Sequence, residues 1–316
     1  MRALSDEYMH DLKDVDGTLH PVLERVKQDD ALMLAIRDDY INIHYRGGNL
    51  LRVRRVGPGR YDAWFDLRYN KSEQSLSLPC TTIASAQDAV AWIGKFSQIK
   101  DTMDRYLVRY RKPEREFQQL IVRENNRSFV SNASEYFVSD IEYSDSSGRE
   151  RADMLAVRWR AHQRGNGASC RAALFEVKYG DAALGGKSGL LDHLRNMDAL
   201  VTDRCRYRLM LRTIESQFAQ LDDLGLLSYT HAKRGATVQL DPADRPEVIL
   251  ILANHNPRSG RLLKILEDAE VVACARSLHY DLRFFVSSFS GYALHCANML
   301  DLQAFGERVR LQLDGH

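Results

Sequence analysis

Two short stretches decide how this chain folds: Ala152-Asp153-Met154-Leu155-Ala156-Val157-Arg158-Trp159 and Arg171-Ala172-Ala173-Leu174-Phe175-Glu176-Val177-Lys178-Tyr179. Both are rich in apolar residues and bounded by polar ones, as strands of a half-buried sheet are. The polar run Arg160–Ser169 joins them. A symmetric hairpin across that connector pairs residues whose numbers sum to 329, which sets Asp153 opposite Glu176. Glu176 and Lys178 are two apart, so a strand sends both to one face, about 6.6 Å apart. Two carboxylates on neighbouring strands with a Lys beside them make a hard oxygen site for Mg²⁺ and a cation for a phosphate or a water. The competing reading is an interstrand salt bridge, with Lys178 and an Arg compensating both acids.

Outward from the hairpin, residues after Pro113 read as helix, strand, strand, strand, helix, strand, helix, strand. Pro113 suits a helix start, and Glu114–Asn125 carries Phe117, Leu120 and Ile121 at helical spacing. Tyr136–Tyr143 is a strand joined to the next by Asp145-Ser146-Ser147-Gly148. Gly189–Leu224 is helical in character, Val248–Ala253 a buried strand, Arg258–Glu270 a helix and Leu282–Ser287 a strand. The fold class is therefore α/β (α+β), a central mixed β-sheet flanked by helices.

With these residues in hand, Asp153…Glu176-Val177-Lys178 resembles the PD-(D/E)XK, or restriction-endonuclease-like, nuclease superfamily. The resemblance covers about Pro113–Ser288, and Ala152 stands where a Pro often precedes the Asp. It implies a restriction-endonuclease-like core that cuts phosphodiesters with Mg²⁺, for which Mn²⁺ substitutes. Asp153 and Glu176 would hold the ion, with the Val177 carbonyl as a further ligand. Lys178 would position or help deprotonate the attacking water. Many members add a Glu from the leading helix, and Glu114-Arg115-Glu116-Phe117 looks like the corresponding run of archaeal Holliday-junction resolvases. On a helical wheel Glu114 lies about 60° from Phe117, Ile121 about 40° and Glu124 about −20°, whereas Glu116 falls about −100° away. Glu114 is thus the first candidate and Glu124 the second, each also readable as a helix-terminal acid or ion pair; Glu142 is weaker.

After the third strand, Gly180-Asp-Ala-Ala-Leu-Gly-Gly-Lys187-Ser188 nearly spells a nucleotide P-loop, but that pattern needs Gly where Asp181 stands. Lys187 on a glycine-rich loop remains a phosphate candidate. His193, in the first turns of the following helix, either reaches that phosphate or packs locally. No GxSxG, HExxH or zinc-spaced Cys/His set occurs.

The division expected is residues 1–112, an N-terminal helix and β-meander module with a linking helix, and residues 113–316, the nuclease-like domain. The first reads as a helix over Pro21–Arg37, strands over Tyr40–Tyr45, Leu50–Val56 and Tyr61–Tyr69, and a helix over Ala86–Arg111. Across Arg46–Lys71, seven basic side chains face only Asp62 and Asp66. Arg52, Arg54, Arg55, Arg109, Arg111 and Lys112 are candidate phosphate contacts; a solvated strand face is the alternative. Net charge is only +1, and ten Lys leave 34 Arg among the 44 basic residues, so any polyanion surface is local. Apolar runs such as Val248–Ala253 are far short of a membrane span. Five scattered Cys fit reduced thiols in a cytoplasm.

Function then reads as a metal-dependent nuclease acting on DNA, with RNA an open alternative, in restriction, repair or defence against phage as the resemblance implies. It would act alone, as a homodimer, or with a defence-system partner. Two rivals use the same residues: a non-cleaving nucleic-acid-binding or scaffold protein, and a phosphatase-like enzyme of small nucleotides.

Overall fold

The computed structural model describes residues 2–71, 76–128, 134–144, 151–164, 169–185, 189–230, 237–256, 260–287, 294, 296 and 299–314. Among these the chain is a mixed α/β fold with two five-stranded sheets, and no helix is long and apolar enough to cross a membrane. It divides into two compact units, Met1–Arg123 with Ala219–Leu227, and Glu124–Phe218 with Ser228–His316.

In the first unit, helices α1 (Asp6–Lys13) and α2 (His20–Gln28) precede strands β1 (Leu32–Ile36), β2 (Tyr40–Tyr45), β3 (Gly48–Gly57), β4 (Arg60–Trp64) and β5 (Thr82–Ile83). Helices α3 (Ala86–Ile93), α4 (Phe96–Arg109) and α5 (Pro113–Asn126) follow. The strands pair antiparallel in chain order. Alternation sorts the sheet's two faces. Ile41, Ile43, Leu51, Val53, Tyr61 and Ala63 are buried in one core with Tyr8, Val22, Trp92, Phe96 and Ile99 from α1 to α4. Each Ile, Leu, Val or Phe among them contributes about 1.5–3 kcal/mol by leaving water. On β4, Arg60, Asp62 and Trp64 alternate with that core and are exposed.

Arg46 and Gly47 form the two-residue turn between β2 and β3, with φ of 48° and 70°. Two positive φ values mark a type I′ turn, which matches strand twist but disfavours a residue with a Cβ. Arg46 is held there by Asp104 and Glu116, at 2.8 and 2.7 Å. Gly47 has no substitute: a Cβ would lie 2.4 Å from the Arg115 backbone.

Several expected boundaries move. The helix expected over Pro21–Arg37 ends at Gln28, and Leu32–Ile36 is β1, buried at all five positions. Five consecutive apolar residues have no stripe for a single helix face, but fit a strand covered on both sides. The strand expected over Tyr61–Tyr69 stops at Trp64, and Leu67–Tyr69 is a 3₁₀ turn in which the Arg68 N–H donates to the Asp66 side chain. The long helix expected over Ala86–Arg111 breaks around Gly94.

In the second unit, strands β6 (Tyr136–Ser144), β7 (Arg151–Arg158) and β8 (Arg171–Tyr179) lead into helices α6 (Leu190–Thr202) and α7 (Arg204–Asp223). Then come β9 (Glu247–Ala253), α8 (Gly260–Leu266), α9 (Ala269–Ser277), β10 (Asp281–Val286) and α10 (Leu302–Asp314). The sheet order is β10-β9-β8-β7-β6. Both hairpin pairs are antiparallel, while β8–β9 and β9–β10 are parallel, so the expected mixed sheet is present. Parallel neighbours need helical crossovers, and α6–α7 and α8–α9 lie between them in the chain. The helix expected across Gly189–Leu224 divides at Asp203, whose carboxylate takes the N–H groups of Cys205 and Arg206 and starts a new helix. β9 is buried throughout, as its unbroken apolar run requires.

Candidate active site

β8 is flanked on both sides, by β7 and β9, so its residues lie deep in the sheet. Its pairs with β7, from Met154↔Phe175 to Arg158↔Arg171, all sum to 329, the register expected from the connector. Continued one step, that register sets Asp153 level with Glu176. There β7 no longer pairs with β8, and the Val177 N–H is left facing it. Asp153 fills the place of the missing carbonyl: the Val177 N–H donates to its Oδ2 at 2.7 Å.

Glu176 is 8% exposed, an acid buried on a strand otherwise apolar from Ala172 to Val177. A buried carboxylate is tolerable only with partners. Lys178, on the same face, donates to Glu176 Oε1 at 2.8 Å, and both side chains are nearly buried. His193 Nδ1 stands 3.2 Å from the same oxygen. The crossover from β8 explains this: α6 starts at Leu190, and His193 sits in its first turn, its N–H donating to Gly189 O at 3.3 Å. His193 therefore packs on Glu176 from the helix that follows the strand, a role the sequence placed on the phosphate or left as local packing. Lys187 and Ser188 lie outside the described residues, as does the Asp145–Gly148 turn.

The helix acids lie differently. Glu114 and Glu116 are in the first unit, where Glu116 pairs with Arg46. Glu124 opens the second unit and is half-buried. Glu142 is exposed, with a left-handed φ of 51° in the middle of β6. The β6–β7 pairs Ile141↔Met154 and Tyr143↔Ala152 bracket it, so it stands level with Asp153. A non-glycine residue in that region is strained. Among the described residues, no group of three or more His, Cys, Asp or Glu is arranged to hold a metal ion.

The basic candidates of the first unit separate into two sets. Arg55 is committed to Glu7, with Asp39 at 3.8 Å. Arg52 lies over the Tyr40 and Trp64 rings at 5.2 and 5.3 Å, and Arg54 is exposed. Arg109 and Arg111 are exposed and Lys112 is half-buried.

At the other end of the second sheet sits a polar network the sequence did not reveal. Arg158 Nη1 pairs with Glu247 Oε1 at 3.0 Å, and Tyr136 donates to Glu247 Oε2 at 2.7 Å, all buried. Burial, then the Glu247 charge, pushes the Tyr136 phenol far above its ordinary value, so it stays a donor. The only sequence signal was an acid directly before the apolar run of β9.

No family model, no curated protein and no solved structure matches this chain.

Proposed function

We propose that the chain is a metal-dependent nuclease hydrolysing phosphodiester bonds in DNA, on a restriction-endonuclease-like core made of β6–β10 and helices α6–α9. One observation supports the reading: Asp153, one residue beyond the β7–β8 ladder, accepts the Val177 N–H between Glu176 and Lys178, which are paired on one face of β8. The donors suit a hard divalent cation. Mg²⁺ takes one or two carboxylates and keeps several waters, and Asp153, Glu176 and the Val177 carbonyl offer that set. When bound, the ion supplies a Lewis acid that offsets charge developing on the phosphate oxygens.

The chain's own residues do the rest. Val177 N–H orients Asp153 through Oδ2. Lys178 is held beside Glu176 by its ion pair, where its ammonium group orients a water or a phosphate oxygen. His193 fixes the rotamer of Glu176 from α6 and is a positioning residue. A non-cleaving scaffold is the second reading, favoured by the same contacts, because Lys178 and His193 already compensate Glu176 without an ion.

Cleavage of supercoiled plasmid and of labelled single and double strands, in Mg²⁺, Mn²⁺ or EDTA, separates the two. The nuclease reading expects metal-dependent cutting by wild type that falls at least about a hundredfold in Glu176→Gln. Wild type that never cuts in either metal leaves the scaffold.

A further inference from the structure

The first unit carries a second feature that the Asp153–Glu176 site does not use. We propose that the outer face of the β2–β4 sheet binds single-stranded nucleic acid, stacking bases on Trp64 and Tyr40 and taking phosphates with Arg54 and Arg60. This goes beyond the cleavage reading and does not depend on it, since binding needs no metal and no working active site.

The register builds the face. Asn42↔Arg52↔Trp64 and Tyr40↔Arg54↔Asp62 are cross-strand rows, so these side chains point away from the Ile41–Val53–Ala63 core. Trp64 is 44% exposed at the end of a regular strand. The other two Trp of the chain, Trp92 and Trp159, are at most 1% exposed. An aromatic ring left accessible beside cationic side chains offers a face on which a base can stack. Arg52 lies between the two rings, 5.2 Å from Tyr40 and 5.3 Å from Trp64, and its Nε donates to Asn42 Oδ1 at 3.2 Å. The guanidinium is locked, and with it the rings, so a base meets a platform that loses little freedom on binding.

Charge selects the occupant. Of the basic residues on this meander, Arg46, Arg55 and Arg68 are spent on Asp104, Glu116, Glu7 and Asp66. Among the described residues, Arg52, Arg54 and Arg60 make no ion pair, and Asp62 is the one carboxylate on their rows. The positive field reaches His44 on the same side of β2, where burial and then Arg37, Arg115 and Arg52 oppose protonation. The exposed Trp64 ring and the half-buried Tyr40 ring, beside Arg side chains that make no ion pair among the described residues, match a strand whose bases are free to stack and whose backbone is anionic. A duplex, with its bases already stacked on one another, offers only the phosphates.

The test is equilibrium binding of the full chain in EDTA to a 20-nucleotide oligo-dT, an oligo-U and a 20-base-pair duplex, read by anisotropy and by Trp fluorescence. Single strands are expected to quench Trp64 and to bind at least about tenfold more tightly than the duplex. Trp64→Ala is expected to abolish the quench and weaken oligo-dT binding by about 5- to 150-fold, the range of one lost stack. The pair Arg54→Ala/Arg60→Ala is expected to reduce the salt slope by about 1.4, for two phosphates of a single strand. Arg68→Ala, on an ion-paired and exposed Arg, is the control and changes neither. Equal weakening by Arg68→Ala, preference for the duplex, or binding unaltered in Trp64→Ala overturns the proposal. So does a change of oligomeric state in Trp64→Ala with oligonucleotide binding intact, which makes the face a contact between copies. Loss of cleavage with this binding retained touches only the active-site reading.

Discussion

Lowering the pH from 7 to 5 is expected to cost the first unit about 2 kcal/mol through His44 alone. His44 is buried on β2, and both ring nitrogens are without a hydrogen-bond partner among the described residues. Burial, then the charges of Arg37, Arg115 and Arg52, lower its pKa to about 3. In the unfolded chain the same imidazole titrates near 6.5. Between those values the unfolded state binds a proton that the folded state refuses, so stability is full above pH 6.5 and drains as the pH falls toward 3. At pH 5 the unfolded group lies about 1.5 units below its own pKa, and about 1.4 kcal/mol per unit gives the 2 kcal/mol. Urea denaturation followed by circular dichroism, on wild type and His44→Phe at both pH values, isolates the effect from the other titrating groups. At pH 7 the two differ little, because no hydrogen bond is lost. At pH 5 the balance shifts toward the variant by about 2 kcal/mol. A wild-type-to-variant gap that is the same at both pH values would mean that His44 keeps an ordinary pKa in the folded chain.

Two further outcomes follow from the packing. Arg158→Met leaves the buried Glu247 carboxylate with Tyr136 as its remaining named partner and is expected to cost about 3–5 kcal/mol. Adding Glu247→Leu should recover most of that in thermal melts, and a double variant as unstable as the single one would mean that packing, not the stranded charge, is lost. Gly47→Ala is expected to destabilise far more than Gly59→Ala. Both have positive φ, 70° and 58°, and share a strain of about 1–2 kcal/mol. Only at Gly47 does a Cβ strike backbone, while at Gly59 nothing lies within 4 Å. Equal denaturation midpoints for the two variants would remove the close approach from the account.

Much of the second unit is legible in the chain itself. The ten-residue connector fixed a hairpin register of 329 because antiparallel pairing is symmetric about its turn, and the ladder keeps it. The apolar run at Val248 marks a strand buried on both faces, and the order of elements after Pro113 carries through to β10. Where propensity was the only guide, the reading slipped. Leu32–Ile36 suits a helix by composition and became a strand whose edge pairs with β2 and whose five side chains are all buried. Helices α1 and α10 were not expected, although α1 buries Tyr8, Met9 and Leu12 and α10 buries Phe305 and Val309, and α7 starts anew after α6 at the Asp203 cap.

Residue types and spacing by themselves put Glu176 and Lys178 on one face of β8 and the β7–β8 ladder in its register, because a strand's period of two and a hairpin's symmetry are local rules. Tertiary structure alone decided who else would join them. His193 reaches Glu176 only because the chain turns back after β8, Arg52 finds Tyr40 and Trp64 only across three strands, and Glu247 finds Arg158 and Tyr136 across a sheet. Such contacts join residues up to 111 positions apart in sequence. No local periodicity encodes them: they follow from which faces are left to be covered once the strands have paired.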